Sequence, residues 1–303
     1  MLTGLSAFPL TPFRHDDVDM GAYARLVARM VEAGVDSIGA LGSTGSYAYL
    51  DRSERRAVAA ATVEHAGEVP VIVGIGALRT SWVRALAADA QEAGASAVLL
   101  APMSYQPLTE DDVAGLYEDV TAELSVPLVV YDNPGTTHFT FALDLYAHIA
   151  RLPQVGAIKI PPVAGSVAEV RERVQAIRAV VPGHVKLGIS GDGFAATGLL
   201  AGCDAWFSSL GGTLPRTMAG VARSALAARA DGTSRAERSL ADSEGLRPLW
   251  DLIADFGSLR VAAAIAEHLG LVAAPSLPRP LRGLTEEDRS RVREVVDTLD
   301  LRE

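Results

Sequence analysis

The run GAIKIPP, Gly156–Pro162, decides how this chain is read. It is an apolar, β-like segment closed by two prolines, with a lysine between two isoleucines. Lys159 and Lys186 are the only two lysines in 303 residues, and arginine supplies the other permanent cations. Arginine keeps its proton under ordinary conditions, whereas a lysine amine can lose it. Lys159 is therefore either a charged residue whose stem lies along a sheet with its ammonium in water, or an amine that chemistry needs. Where the strand ends in the fold separates the two readings.

Working outward, short β-like runs alternate with amphipathic stretches. Strands are expected at Leu5–Leu10, Ser37–Leu41, Val71–Ile75, Ala97–Ala101, Leu128–Tyr131, Val155–Ile160, Val185–Ile189 and Ala205–Ser208. Helices are expected between them, among others at Met20–Glu32, Arg52–His65, Thr80–Glu92, Glu110–Glu123 and Ser166–Val180. Gly34, Gly67 and Gly94 follow three of these, where a left-handed residue ends a helix well. Asp51 and Thr109 precede two others, as capping oxygens. Runs such as AVLL and PLVVY suit strands covered on both faces. Eight such units in a chain of this length predict an α/β fold, a (β/α)8 TIM barrel; an open doubly wound sheet is the alternative, since periodicity does not prove closure. Strand signals stop near Leu214, and helical segments follow around Arg235–Phe256, Ser258–Leu269 and Glu286–Leu299. The expected division is a barrel over 1–225 and a C-terminal helical extension over 226–303.

Composition narrows the partners. Hydrophobic residues make up 49% and charged residues 21%, enough for a large core. A net charge of −10 disfavours nucleic acid and anionic membranes. The single cysteine, Cys203, allows no intramolecular disulfide and fits a reducing compartment. The N-terminus lacks the basic and apolar regions of a signal peptide, and no apolar stretch approaches the ~20 residues of a membrane helix. The expectation is a soluble, cytoplasmic protein. The histidines have no metal-ligand spacing, so no metal is assigned, and Gly74-Ile75-Gly76 is too little for a dinucleotide site.

In a barrel, catalytic side chains sit at the C-terminal ends of strands. Lys159 lies near such an end and Lys186 near a strand start, so Lys159 is the candidate for chemistry. Burial lowers a lysine pKa, and the free amine attacks a ketone to form a Schiff base. Tyr131, ending the fifth strand in VVYDNPGTTH, can move protons, although a barrel tyrosine can equally satisfy a backbone carbonyl. LGSTGS (Leu41–Ser46) offers small residues and hydroxyls for a carboxylate, or is an ordinary strand-to-helix turn. Asp132, His138, Ser190 and Asp192 are further polar groups near strand ends, each with an ordinary capping, solvated or turn role as the alternative. Gly211–Thr213 is a thin phosphate-loop candidate, and Cys203 reads as a small buried filler.

SAFPLTPF (Ser6–Phe13), Gly42–Gly45, Tyr131–Pro134, Ile158–Lys159, then SGDG (Ser190–Gly193) and GCDAWFSSLGGTLP (Gly202–Pro215), taken in order, resemble the dihydrodipicolinate synthase / N-acetylneuraminate lyase family of class I Schiff-base aldolases. The resemblance spans essentially the whole chain. It implies an imine of Lys159 with pyruvate or another 2-oxo acid, with no cofactor besides. Tyr131 becomes the acid/base, and Ser43 and Thr44 hold the carboxylate and relay a proton, with Gly42 and Gly45 of the same turn as substrate-binding residues. Ser104, Tyr105, Thr136, Ser190 and Phe207 are the further substrate-binding candidates, and a homotetramer, a dimer of dimers, is implied.

The departures are specific. Thr136 stands where dihydrodipicolinate synthases carry an arginine for the second substrate's carboxylate. Ser104 falls at the place of the family's dimer-interface tyrosine, with Tyr105 beside it, and Ser46 replaces a glutamate after the turn. These changes point away from lysine biosynthesis and leave the amine and the tyrosine intact. The resulting expectation is a pyruvate-dependent aldolase/lyase acting on a 2-oxo-3-deoxy sugar acid or a related 2-oxo acid. Alternatives are a 4-hydroxy-tetrahydrodipicolinate synthase with a relocated cation, a dehydratase using the same imine, and a non-catalytic 2-oxo acid binding protein.

Overall fold

The computed structural model describes residues 2–231 and 233–301. Among them, eight strands make the main sheet: β1 (Gly4–Ala7), β2 (Ser37–Ala40), β3 (Val71–Gly74), β4 (Ala97–Leu100), β5 (Leu128–Tyr131), β6 (Val155–Ile160), β7 (Lys186–Ser190) and β8 (Ala205–Ser208); Phe13–Arg14 and Asp17–Val18 pair as a separate two-stranded antiparallel sheet. Each of the eight pairs in parallel with its neighbour in sequence, and β1 pairs with both β2 and β8. The main sheet is therefore a closed barrel, which removes the open-sheet alternative. Helices connect successive strands and form the outer layer.

The strands are short because each needs only to cross a core that covers both of its faces; AVLL, LVVY and VIVG are buried throughout. Alternation sorts their side chains into two packings. Ile72, Leu99, Val129, Ala157 and Ala205 fill the barrel interior. Ile158 and Ile160 pack outward with helix residues such as Val113, Val170 and Val174. On β6 this parity puts Lys159 on the same side as Ala157, facing in. The isoleucines flanking the lysine belong to the outer layer, which answers why a charge interrupts an apolar run.

The local signals act as expected. Asp51 and Thr109 each accept the amide three residues on, while Glu54 and Asp112 reach back to the cap amide. Gly34, Gly67 and Gly94 take φ of 69°, 58° and 90°. The C-terminal part differs in two respects. Helix Pro215–Asp231 runs straight through residue 225, so the division at 225/226 falls inside an element. The segment Arg235–Phe256 is two helices, Thr233–Glu244 and Arg247–Phe256. The break follows Gly245, and Pro248 sits in the first turn of the second helix, where its missing amide costs nothing.

Leu10 and Leu26 pack against Ala263, Ala266, Val272 and Leu277, joining the N-terminal segment to helix Ser258–His268. Phe13 donates its amide to the Ser276 carbonyl at 2.8 Å. Glu267 accepts from the Ser276 amide (2.9 Å) and hydroxyl (2.8 Å) and pairs with Arg289 at 3.0 Å. These contacts fix the middle and C-terminal end of Ser258–His268 against the N-terminal segment. Among the described residues, no helix is long and apolar enough to cross a membrane.

Candidate active site

Register places Tyr131 directly across from Lys159 on the β5–β6 ladder, at the C-terminal strand ends. The lysine is 6% exposed. Its Nζ lies 4.0 Å from the centroid of the Tyr131 ring, 4.5 Å from Phe8 and 5.4 Å from Phe207. Ring faces attract a cation only modestly, and loss of water dominates: burial lowers the Lys159 pKa to about 7, opposed in part by the nearby negative charge of Asp192. A substantial share of the amine is thus unprotonated near neutral pH. Asp192 is itself held as a structural group. It is buried, and it accepts from Trp206 Nε1 at 3.2 Å and from the Ser209 and Leu210 amides at 3.2 and 3.0 Å.

Bare backbone makes room for the rings. A Cβ at Gly42 would lie 2.5 Å from the Phe8 ring, and one at Gly188 would lie 2.1 Å from Phe207. Gly42 therefore serves the packing of Phe8 beside the lysine. Phe8 and Phe207 meet edge to face, 6.1 Å apart.

The turn after β2 begins at Leu41, which takes the left-handed conformation with φ of 56°. For a leucine this is uncommon, and nothing in its sequence announces it. The turn carries Ser43 to the Tyr131 hydroxyl, with which it hydrogen-bonds, and Asn133 Nδ2 reaches the Ser43 hydroxyl at 3.5 Å. Burial raises the Tyr131 pKa, partly offset by the bonds to Ser43 and Asn133, so the neutral phenol is its resting form. Tyr47 is pushed up to about 12, first by burial and then by Tyr131, with Arg55 opposing.

Lys159 opens into a cavity of about 510 Å³. Of the residues expected from sequence, Lys159, Tyr131, Ser43, Thr44, Ser104 and Thr136 line it. Others stand elsewhere. Gly45 packs against the Leu41 backbone, and Phe207 reaches the amine without lining the cavity. Ser190 keeps a buried hydroxyl with no partner, outside the lining. Tyr105 is 89% exposed on the loop after β4, away from the cavity. His138 is exposed, in a left-handed turn. Asp132 is buried and accepts from the Tyr146 hydroxyl, with burial raising its pKa to about 6. Gly211 and Gly212 are packed under Ala7 and Pro9 instead of forming an open loop. Cys203 is buried, its thiol pushed up to about 12 by burial.

Sequence reasoning missed two groups. Phe8 lay inside a quoted motif, but its place beside the amine depends on the glycines beneath it. The second group, Phe256, Gly257, Ser258, Leu259 and Arg260, comes from the helical extension. Long-range packing of the N-terminal segment and first helix on that extension, through Leu10, Ala22 and Leu26, brings it to the cavity.

The dihydrodipicolinate synthetase family model matches residues 1–299. The 4-hydroxy-tetrahydrodipicolinate synthase of Halorhodospira halophila is 30% identical over 309 aligned positions, covering 99% of this chain and 98% of that protein. The synthase of Methylococcus capsulatus is 31% identical, with 98% of each chain covered. The match to the Salinibacter ruber synthase, 33% identical, spans 54% of that protein. Among solved structures, dihydrodipicolinate synthase from Agrobacterium tumefaciens superposes with a TM-score of 0.92 at 40% identity, covering 98% of both chains. A closed barrel with a buried strand-end lysine, matched end to end in this way, belongs to the dihydrodipicolinate synthetase family of lyases.

Proposed function

We propose that the protein is a pyruvate-dependent class I aldolase that cleaves or forms a C–C bond through an imine on Lys159. The observation that carries this reading is the desolvated Lys159 amine, 4.0 Å from the Tyr131 ring at the floor of an open cavity. In cleavage, the amine adds to the C2 carbonyl of a 2-oxo-4-hydroxy acid. The Tyr131 phenol protonates the resulting hydroxyl, which leaves as water and creates the protonated imine. The phenolate then takes the C4 hydroxyl proton. The C3–C4 bond breaks, its electron pair passes to the iminium as an enamine, and an aldehyde departs. Tyr131 returns a proton to C3, and water hydrolyses the imine to release pyruvate and free Lys159. Ser43 and Thr44 hold the C1 carboxylate, and Ser43 orients the Tyr131 hydroxyl. Imine formation on Lys159 supplies the electron sink.

The cavity walls support the proposed substrate class. Thr44, Ser104, Thr137, Ser209 and Ser258 give a hydroxyl-bearing lining that suits a polyhydroxylated 2-oxo-3-deoxy acid. The names of the full-length relatives favour a second reading, 4-hydroxy-tetrahydrodipicolinate synthase; Thr136 brings no cation from the tyrosine-motif loop, so that reading would need the cation to come from elsewhere in the cavity wall. Complementation of a lysine-requiring strain would establish that reading in place of the first. A dehydratase would use the same imine and would release water instead of an aldehyde. For assembly, a homotetramer is proposed. Tyr49 (47% exposed), in the 3-10 turn Tyr47–Tyr49 after β2, Trp82 (51%), in the first turn of helix Thr80–Glu92 after β3, and Tyr105 (89%), on the loop after β4, are exposed aromatics on three consecutive units. Sedimentation velocity reads the assembly directly.

Borohydride reduction in the presence of pyruvate, read by intact mass and peptide mapping, tests the central step. A pyruvate-derived adduct on the Lys159 peptide is expected. If no 2-oxo acid leaves an adduct there, Lys159 is a structural residue and the proposal fails.

A further inference from the structure

We propose that Arg260 determines specificity by binding an anionic group, carboxylate or phosphate, at the end of the substrate remote from the 2-oxo acid. The inference rests on the imine reading for its orientation: Lys159, Ser43 and Thr44 take the 2-oxo acid end, and Arg260 takes the other. The first observation is the charge of the cavity. Among the described residues that line it, Lys159 and Arg260 are the cations, and no aspartate or glutamate is present. A chain with a net charge of −10 thus keeps its carboxylates out of this one cavity.

The second observation is how Arg260 is held. Its Nε donates to the Arg282 carbonyl at 3.1 Å, which fixes one edge of the guanidinium. Among the described residues, the Nη groups have no hydrogen-bond or ion-pair partner. A planar fork tethered at Nε is suited to bidentate capture of a carboxylate or phosphate.

The third is its place in the first turn of helix Ser258–His268. A cation there has the wrong sign for the helix dipole, so helix stability does not explain it. An anion bound beside it would meet favourable charge from both the side chain and the helix end. Thr136 lines the same cavity without charge. The helical extension therefore supplies a cation that the tyrosine-motif loop lacks.

The test uses the full chain with pyruvate and three acceptors: glyceraldehyde 3-phosphate, succinic semialdehyde and uncharged glyceraldehyde. For Arg260→Ala, the loss in kcat/KM for the preferred anionic acceptor should exceed the loss for glyceraldehyde by about 10- to 100-fold, the scale of a hydrogen-bonded charge. Arg260→Lys should recover part of that difference. Comparing the phosphate and carboxylate arms identifies which anion is used. Equal losses on charged and uncharged acceptors, or a wild-type preference for glyceraldehyde, overturn the proposal. Calorimetric titration with glutarate and butyrate, which cannot form an imine, reads the site independently of catalysis. Wild type should bind glutarate the more tightly, and Arg260→Ala should erase that preference. A wild type that does not distinguish the two overturns the role of Arg260. Absence of a borohydride adduct, with the glutarate preference intact, overturns the imine reading alone.

Discussion

The floor and the rim of the cavity are built in different ways. The floor is barrel: Lys159 and Tyr131 face each other across one ladder, and Phe8 and Phe207 close over them. Every group there is fixed by strand register or by a ring packed on bare backbone. The rim is helical extension: Phe256 to Arg260 reach the cavity because the N-terminal Leu10 packs on a helix some 250 residues later in the chain. The floor is dry and shifts pKa values; the rim is polar and half solvated. A rigid, desolvated floor suits a chemical step common to many substrates, and a rim attached through separate contacts can change its preference without disturbing that step.

The largest expected effect lies at the floor. Lys159→Ala removes the nucleophile and should lower turnover on the order of 10⁶-fold, the scale for losing a covalent nucleophile, with no borohydride adduct by mass. Turnover that survives this change would mean that the floor is not where bonds are made. Tyr131→Phe keeps the ring beside Nζ and deletes only the hydroxyl. A loss of about 10²- to 10⁴-fold in kcat is expected for a proton-transfer group. Single-turnover kinetics should show slowed imine formation as well as slowed C–C cleavage, since the same phenol serves both. A defect confined to one of the two steps would assign the other proton to a different group.

Much of the floor is legible in sequence and little of the rim is. Lys159 and Tyr131 each stand at or near the end of an apolar run, two and three residues ahead of a proline, so barrel logic alone brings them to one face. Local spacing also marks Asp51 and Thr109, because capping is settled within four residues. Tyr105 shows where locality stops: two residues of the same loop, Ser104 and Tyr105, diverge between cavity and solvent according to backbone path, which composition does not encode. Arg260 shows the other limit. Nothing near it in sequence resembles a site, and its relevance arises from tertiary packing of Leu10, Leu26 and Ala263. The split of Arg235–Phe256 had a signal in Gly245 and Pro248, but helical periodicity on either side hides it.

Stability should show the floor's cost. With a folded pKa of about 7 against 10.5, Lys159 gives up its proton in the folded chain while the unfolded chain keeps it, across pH 7 to 10.5. The unfolded state binds more protons in that window, so this group's contribution makes stability rise with pH there. Below about pH 7 the ammonium is buried among the rings and the full penalty is present. Lys159→Met removes the penalty, and chemical denaturation should find the variant more stable by on the order of 5 kcal/mol at pH 6. That advantage should shrink steadily toward pH 10. A constant difference across the range would mean that the amine is solvated in the folded protein.

The smallest effect should come from loosening the rim. Glu267, whose side chain is 7% exposed, collects the Ser276 amide, the Ser276 hydroxyl and Arg289 near the C-terminal end of helix Ser258–His268. Glu267→Ala strands these donors and should cost about 1–3 kcal/mol of stability. Lys159 is held by strand register and by rings that do not contact this carboxylate, so the rate of pyruvate trapping should stay close to that of the parent. The proposed acceptor end of the cavity, by contrast, is lined by Ser258 and Arg260, on the helix that carries Glu267. The acceptor's KM should therefore rise while the trapping rate holds. If trapping slows in proportion to the rise in KM, strain from the extension is reaching β6, and floor and rim act as one unit. If only KM moves, the barrel carries the chemistry and the extension carries the choice of partner.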